Sequence, residues 1–447
     1  MEKASSEPGP ATDSHKPENR IAMFGIHSDP LAPLGSQEAG GQNIYIYSLV
    51  KELDKKGWSI DVFTRHDQMH KKTVAFIGKK SRVIRLKGGP IKHLPKTELF
   101  DHFPELYQNF LNFIDQQNPY SIFHGHHWDG GWMALKAAEQ FKKPFVENFH
   151  SLGKIRFQTK KQYLKNGNEA EFFEKRFSLE EEIVKKSNII ISLAESEKND
   201  LKKFYQAQDD KIRVIAGGVN LSHFRPIDFQ KARKEINVGE DAFVLLFVGR
   251  LEWRKGIGTL ISAASLLRNE ISNLKVIVVG GKIYGKQKNS KDFKEYQRLT
   301  EKAKEEKIED IVNFTGRVDN GRLPFFYSAA NIFVVPSYYE PFGLVALEGM
   351  ACKAPIVASR IGGLTTIIQE GVNGLLFEPR NPLDLKENVL KIFKSKELVQ
   401  KIIENGYKDV AENYSWYKIV GRISDIYDKL ITSNNKKSDE NNPNHSI

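Results

Sequence analysis

The chain has 447 residues, of which 40% are hydrophobic and 28% charged, so it is too long for one ordinary core and too apolar to be disordered throughout. Cys352 is the only cysteine, which excludes an intramolecular disulfide and a cysteine-based metal cluster. The formal charge of +11 is spread along the chain without a nucleic-acid motif, so we expect no nucleic-acid partner.

Both ends of the chain are polar. We expect disordered tails at residues 1–19 and 433–447, because neither segment holds enough apolar side chains to order itself. No apolar stretch approaches the length that spans a bilayer, and the first residues lack the apolar core of a signal peptide. We therefore expect a cytoplasmic protein, with weak contact to anionic lipid left open. The sequence indicates no oligomeric state.

Between the ends, short apolar runs alternate with longer segments of helical period, as is typical of parallel βαβ units. The predicted strands are 21–27, 58–64, 120–124, 144–149 and 188–193 in the first half, and 242–248, 274–280, 311–316, 331–336 and 355–359 in the second. A polar connector at about 223–240 separates the two series. We predict an α/β fold of two doubly wound domains, 20–225 and 241–412, that face each other across a cleft. A helix at 413–432 is predicted to pack back across the first domain.

The first candidate ligand contact is the loop before the first predicted helix. Gly40 and Gly41 allow a ligand to approach the backbone closely, and the helix start beside Gln42 offers free N–H groups. Two glycines are weak evidence by themselves. The absence of G-x-G-x-x-G argues against a dehydrogenase.

Three histidines, His124, His126 and His127, end the third predicted strand in FHGHHWDGG. A metal site, a general base and a contact to a bound sugar are all open alternatives. A metal is disfavoured because neighbouring strand-end histidines cannot all converge, and because no carboxylate cluster with ligand spacing is evident nearby. We expect His124 and His127 to be structural.

Three cations of the first half, Lys96, Lys154 and Arg176, come from separate segments. Several cations together are what a phosphate dianion requires, so these three are candidates for binding a phosphorylated ligand. Surface lysines are common, and each cation taken alone is at least as well explained as a surface residue.

In the second half, the first predicted strand is followed by Gly249, Arg250 and Lys255 and then by a helix. Two fixed cations at a strand end can neutralise the charge that develops on a departing nucleoside diphosphate. The spacing by itself is only a modest pattern.

The strongest motif is YYEPFGLVALEGMACKAPIVAS at 338–359, in which Glu340 and Glu348 are eight residues apart. We predict a loop that holds Glu340 and a helix that starts near Gly343. The free amides of the helix start would suit a diphosphate or its sugar, and they belong to Phe342, Gly343 and Leu344. Glu348 would reach ribose hydroxyls. Two surface glutamates are the alternative, which the surrounding PSYYEPFG makes weak.

Taken together, these motifs resemble those of the retaining GT-B glycosyltransferases of group 1 and family 4, in particular the sucrose-phosphate-synthase branch. The resemblance covers about 20–410 and includes AGGQNIY, GGPIKHLPKTE, ENFHSLG, FEKRFSLEEE, GRLEWRKG and the E-x7-E motif. Departures at 192–196 and 216–220 concern the acceptor or hinge side. The resemblance implies two Rossmann-like domains, the first for the acceptor and the second for the donor.

The family resemblance also implies the reaction and the site. A hexosyl group would pass from a nucleotide sugar, with UDP-glucose expected, to fructose 6-phosphate, giving sucrose 6-phosphate. No cofactor would be required, and Mg²⁺ would at most stimulate. The implied catalytic residues are His126, which would contact the donor sugar, Arg250, Lys255 and Glu340. The implied donor-binding residues are Gly41, Gly249, Arg250, Lys255, Arg317, Glu340, Phe342, Gly343, Leu344 and Glu348. The implied acceptor-binding residues are Gln42, Lys96, Ser151, Lys154 and Arg176.

Two alternatives are left open. Another GT-B transferase would use GDP-mannose or UDP-GlcNAc as donor, or an inositol phosphate, glycerate or a lipid-linked acceptor. A sugar-nucleotide-binding protein without activity would keep the fold alone. The joint presence of Arg250, Lys255, Glu340, Glu348 and His126 speaks against the second alternative.

Overall fold

The computed structural model describes residues 20–32, 40–114, 120–160, 167–281, 283 and 290–440. The predicted tail at 1–19 and the last seven residues of the other predicted tail lie outside these ranges.

The first sheet contains eight strands in the described residues, in the order β3-β4-β2-β1-β5-β6-β7-β8. They are β1 (Arg20–Phe24), β2 (Ser59–Arg65), β3 (Val74–Phe76), β4 (Arg82–Leu86), β5 (Ile122–His126), β6 (Phe145–Asn148), β7 (Ile189–Ser192) and β8 (Ile212–Val214). All pairings are parallel except that of β3 with β4. The strand order reverses between β1 and β5, which is where doubly wound sheets bind ligands.

The second sheet is parallel, with six described strands in the order β11-β10-β9-β12-β13-β14. They are β9 (Phe243–Val248), β10 (Leu274–Val279), β11 (Val312–Gly316), β12 (Ile332–Val335), β13 (Ile356–Ser359) and β14 (Leu375–Phe377). Its order reverses between β9 and β12.

Helices cover both sheets. They are α1 (Gly41–Lys55), α2 (Phe103–Phe113), α3 (His127–Phe141), α4 (Gly153–Lys160), α5 (Gly167–Lys186), α6 (Glu195–Tyr205), α7 (Phe229–Glu235), α8 (Ile257–Leu267), α9 (Lys291–Glu305), α10 (Leu323–Ala329), α11 (Leu344–Ala351), α12 (Leu364–Ile367), α13 (Pro382–Lys394), α14 (Lys396–Asn413) and α15 (Trp416–Glu440). The predicted α/β fold with two doubly wound sheets is confirmed. None of the described helices has the length and apolar character that a bilayer span requires. Cys352 is buried, as expected of a small core residue.

Four of the described strands were not predicted from the sequence. The segment that contains β3 is rich in lysine, yet it forms an antiparallel edge whose Phe76 stays 67% exposed. In β4, Arg82 pairs with the buried Asp61 of the neighbouring strand β2. Because this strand contains charged residues, it does not read as an apolar run in the sequence. The strands β8 and β14 have three residues each, too few to show a period.

The chain passes between the two sheets twice, and the two crossings touch. Val219 N donates to the carbonyl of Tyr414, and a Cβ on Gly218 would lie 2.9 Å from the Trp416 ring. The second crossing leads into α15, which packs on α1 of the first sheet. The predicted crossover helix is therefore present, but it runs from Trp416 to Glu440, so the expectation of a disordered tail from residue 433 is wrong up to residue 440.

Candidate functional site

A cleft of about 780 Å³ lies between the two sheets, at the ends of β1, β5, β9 and β12. We call the side formed by residues 26–193 the first wall and the side formed by residues 248–348 the second wall. Thirteen of the predicted site residues line this cleft: Gly41, Gln42, Lys96, Ser151, Gly249, Arg250, Lys255, Arg317, Glu340, Phe342, Gly343, Leu344 and Glu348. Their individual roles remain predictions.

The second wall is built from ion pairs. Lys255 Nζ contacts Glu340 at 2.5 Å, and Arg250 contacts Glu252 at 2.8 Å. Burial alone would raise the pKa of Glu340, but Lys255 and the nearby Arg254 outweigh burial, so the pKa of this carboxyl is lowered. The wall therefore keeps a carboxylate and several cations ionised together around the cleft.

The helix start predicted from the E-x7-E motif is present. Helix α11 begins at Leu344 and is preceded by Gly343, whose φ of 93° is a backbone conformation that favours glycine. A Cβ there would also lie 2.6 Å from the Leu364 side chain. Glu348 accepts a hydrogen bond from the Tyr327 hydroxyl at 2.8 Å, and burial raises the pKa of Glu348 to about 7. The helix start and Glu348 face the same cleft.

The first wall holds a connected row of polar side chains that the sequence analysis missed. Lys96 Nζ lies 2.7 Å from Nε2 of His27, whose Nδ1 lies 2.6 Å from the buried Asp129. Nδ1 of His127 contacts the other oxygen of Asp129 at 3.0 Å. Burial lowers the pKa of His127 well below its usual value, so this ring is neutral at pH 7.

One carboxylate lies beside the strand-end histidines, although no cluster of carboxylates was expected there. Asp129 follows His127 by two residues on α3, and His27 joins them to form a group with metal-ligand chemistry. Both Nδ1 atoms already contact Asp129, and Lys96 occupies the free side of His27. This arrangement fits a hydrogen-bonded row that positions Lys96 at the cleft better than it fits an ion site.

The prediction that His126 is the cleft histidine is wrong. His126 is fully buried on β5, and the histidine that lines the cleft beside it is His150, whose Nε2 lies 2.9 Å from Nδ1 of His126. Both rings make T-shaped contacts with Tyr45. His150 belongs to the ENFHSLG segment, so the motif itself was a signal for it.

Two of the predicted acceptor-binding cations do not line the cleft. Arg176 is buried, pairs with Glu180 and donates to the carbonyl of Ser151, so it supports the loop that carries Ser151. Lys154 pairs with Glu181 away from the cleft. Arg156 faces the cleft instead, because two residues on a helix point about 200° apart. The helical period of α4 places Lys154 and Arg156 on opposite faces, which is the sequence signal that distinguishes the cation at the cleft from the one away from it.

Comparison with known proteins agrees with this geometry. Residues 39–223 match the sequence model of glycosyltransferase family 4, and residues 228–409 match that of the group 1 glycosyl transferases. A D-inositol 3-phosphate glycosyltransferase of Nocardiopsis dassonvillei is 31% identical over 411 residues, which is 92% of this chain and 94% of the relative.

The chain belongs to the group 1 and family 4 glycosyltransferases. Among solved structures, the sucrose-phosphate synthase of Thermosynechococcus elongatus superposes on this glycosyltransferase with a TM-score of 0.83 at 31% identity, covering 93% of this chain and 100% of its own. The Anabaena protein HepE, solved with UDP and glucose, reaches a TM-score of 0.70 at 16% identity, covering 92% and 99%. At 16% identity, the similarity to HepE shows only a shared fold. The predicted GT-B fold of this glycosyltransferase is thereby confirmed.

Proposed function

We propose that this glycosyltransferase moves a hexosyl group from a nucleotide sugar to a small phosphorylated acceptor, with retention at the anomeric carbon. UDP-glucose is the proposed donor and fructose 6-phosphate the first candidate acceptor, which would give sucrose 6-phosphate. The 31% identity and the TM-score of 0.83 to a sucrose-phosphate synthase support this choice.

The observation that carries the proposal is the distribution of cations in the cleft. Arg250 and Lys255 lie on the second wall, and Lys96 and Arg156 lie on the first wall. Arginine and lysine form strong charge-assisted hydrogen bonds with phosphate oxygens. Each wall therefore offers cations to one of two phosphate-bearing substrates.

The charge state of His150 favours a route with retention. Burial lowers the pKa of His150 to about 3, which makes this ring too weak a base to deprotonate an acceptor hydroxyl at neutral pH. In the proposed step, the bond from the anomeric carbon to the diphosphate oxygen breaks as the bond to the acceptor oxygen forms on the same face. The departing diphosphate oxygen takes the acceptor proton, and Arg250 and Lys255 stabilise the charge on this leaving group. We propose that this stabilisation makes a divalent ion unnecessary.

A second candidate acceptor is an inositol phosphate. It is favoured by the 31% identity over 92% of the chain to a D-inositol 3-phosphate glycosyltransferase. Both acceptors combine several hydroxyls with one phosphate, which is the chemistry that Lys96, Arg156 and neutral histidines can bind.

The test is a panel of donors crossed with a panel of acceptors, read by release of nucleoside diphosphate with EDTA present. The donors are UDP-glucose, UDP-GlcNAc and GDP-mannose, and the acceptors are fructose 6-phosphate, inositol 3-phosphate and glycerate. UDP release that requires fructose 6-phosphate, with an α-configured product by NMR, supports the first candidate. Release that requires inositol 3-phosphate selects the second. Donor binding without turnover on any phosphorylated acceptor overturns the proposal.

A further inference from the structure

A column of aromatic side chains connects the crossover helix to the cleft. Its members are Tyr427 of α15, His124 and His126 of β5, and His150 after β6. The Tyr427 hydroxyl lies 2.6 Å from Nδ1 of His124, the rings of His124 and His126 stack at 4.4 Å, and Nδ1 of His126 lies 2.9 Å from Nε2 of His150. Only His150 reaches the cleft.

All three histidines of the column are neutral at physiological pH. Burial lowers the pKa of His124 and of His150 to about 3 and lowers that of His126 well below its usual value. A neutral imidazole carries one proton, either on Nδ1 or on Nε2. The contact between His126 and His150 therefore has two possible directions, and each direction fixes which nitrogen of His150 carries the proton.

The surroundings of His126 select one direction. Nε2 of His126 is buried and contacts no hydrogen-bonding atom among the described residues. If His150 donated, this nitrogen would carry a buried N–H without an acceptor, which is the rarer and more costly defect. If His126 donates through Nδ1, its buried Nε2 carries only a lone pair. His126 is therefore the donor, and the proton of His150 lies on Nδ1.

We propose that His126 is a positioning residue that holds His150 in its Nδ1-protonated form, so that His150 offers a fixed hydrogen-bond donor to the sugar being transferred. This proposal rests on the proposed function, since it needs a sugar beside His150. Nε2 of His150 already contacts His126, so Nδ1 is the nitrogen left for a ligand in the cleft. A fixed N–H strengthens as charge redistributes in the transition state, whereas a ring free to change tautomer would lose part of that gain.

Tautomers can be read directly, without turnover. In a sample labelled with ¹⁵N-histidine, long-range ¹H–¹⁵N spectra distinguish the two neutral forms, and His150→Gln identifies the His150 signals by their loss. We expect the Nδ1-protonated pattern for His150 in the wild-type protein. A wild-type His150 with the proton on Nε2 overturns the proposal whatever the enzyme's substrates are, so this arm is independent of the proposed function.

Two variants of His126 then test the effect on catalysis. His126→Asn keeps an N–H donor near the place of Nδ1, whereas His126→Leu has similar bulk and no donor. We expect His126→Leu to lower kcat by about 10- to 100-fold with little change in the donor KM, and His126→Asn to retain most of kcat. In His126→Leu the His150 signal should show both tautomers.

His124→Asn is the matched control, because His124 lies on the same strand with the same burial but does not contact His150. We expect its His150 tautomer to match the wild type. If folded His126→Leu and His126→Asn lose kcat equally, or if His126→Leu leaves the His150 tautomer unchanged, the positioning role is refuted.

Discussion

The two walls of the cleft carry their polar groups in different ways. On the second wall, Glu340 and Lys255 form a partly exposed ion pair, and the pKa of the carboxyl is lowered. On the first wall, buried histidines are neutral and Lys96 is the cation whose pKa is lowered to about 7. The Glu340 carboxylate should therefore keep its charge across the physiological pH range, whereas Lys96 should lose its charge within it.

The largest expected effect lies on the second wall. Lys255→Ala removes the cation that would stabilise the leaving diphosphate. It also takes from Glu340 its ion-pair partner, so that a carboxylate without this partner faces the diphosphate. We expect kcat to fall by about 10³-fold, with the fold intact by circular dichroism. Arg268→Ala is the matched control, since Arg268 pairs with Asp310 on the surface of the same domain and should turn over like the wild type. Turnover of Lys255→Ala at the wild-type rate would contradict the assignment of leaving-group stabilisation.

The next effect concerns Lys96 on the first wall. The cleft walls displace water from its ammonium, and Arg156, Arg176 and Arg250 add repulsion that the nearby Asp129 only partly offsets, so its pKa falls to about 7. A lowered pKa means that the charge is present below pH 7 and is lost as the pH rises. We expect the KM for the phosphorylated acceptor to rise between pH 7 and 9.

Lys96→Ala tests the same point without a pH change. We expect it to raise the acceptor KM by about 10- to 100-fold, as for the loss of one charged hydrogen bond to phosphate, and to flatten the pH dependence. Lys154→Ala is the control, because this lysine pairs with Glu181 outside the cleft. An acceptor KM that rises equally in both variants would remove the distinction between the two lysines.

The smallest expected effect concerns a carboxyl that, unlike Glu340, has no hydrogen-bond partner among the described residues. Both oxygens of Glu147 on β6 are buried without a hydrogen-bond partner among the described residues. Burial and the nearby Asp129 and Glu180 raise the pKa of Glu147 well above its usual value, which favours its protonated form in the folded protein. A carboxyl with a raised folded pKa stabilises the fold below its unfolded pKa, and this stabilisation is lost as the pH rises.

We therefore expect Glu147→Gln to be more stable than the wild type at pH 7 to 8. The difference in free energy of unfolding should shrink toward pH 4.5, by at most about 1.4 kcal/mol per pH unit. Denaturant midpoints at four pH values measure it, with the exposed Glu174→Gln as control. A difference that is independent of pH would mean that Glu147 is ionised in the folded protein.

The fold and the second wall could be predicted because their signals are local in sequence. The strands of parallel sheets are short apolar runs, and the E-x7-E motif places a loop, a helix start and two carboxylates within about twenty residues. Since the helix start at Leu344 follows from that one segment, the residues around it were placed correctly without long-range information.

The first wall depends on contacts between distant segments, which a single sequence does not show. His27, Lys96 and Asp129 meet from three parts of the chain. His124 and His126 are two residues apart on one strand, so both point to the same face. Strand β5 is buried on both faces, so the positions of its polar residues do not show whether either histidine reaches a ligand in the cleft.

The packing of α15 has a consequence for how the protein is made. Ile419, Ile423 and Tyr427 complete the same apolar core as Leu49, Leu53 and Trp58, which lie about 370 residues earlier. During synthesis, the surface of α1 that receives them must stay open to water until the ribosome has translated the whole second domain. Chains that pause before residue 416 would display that surface to chaperones, and the first domain would reach its final stability only after the second is complete.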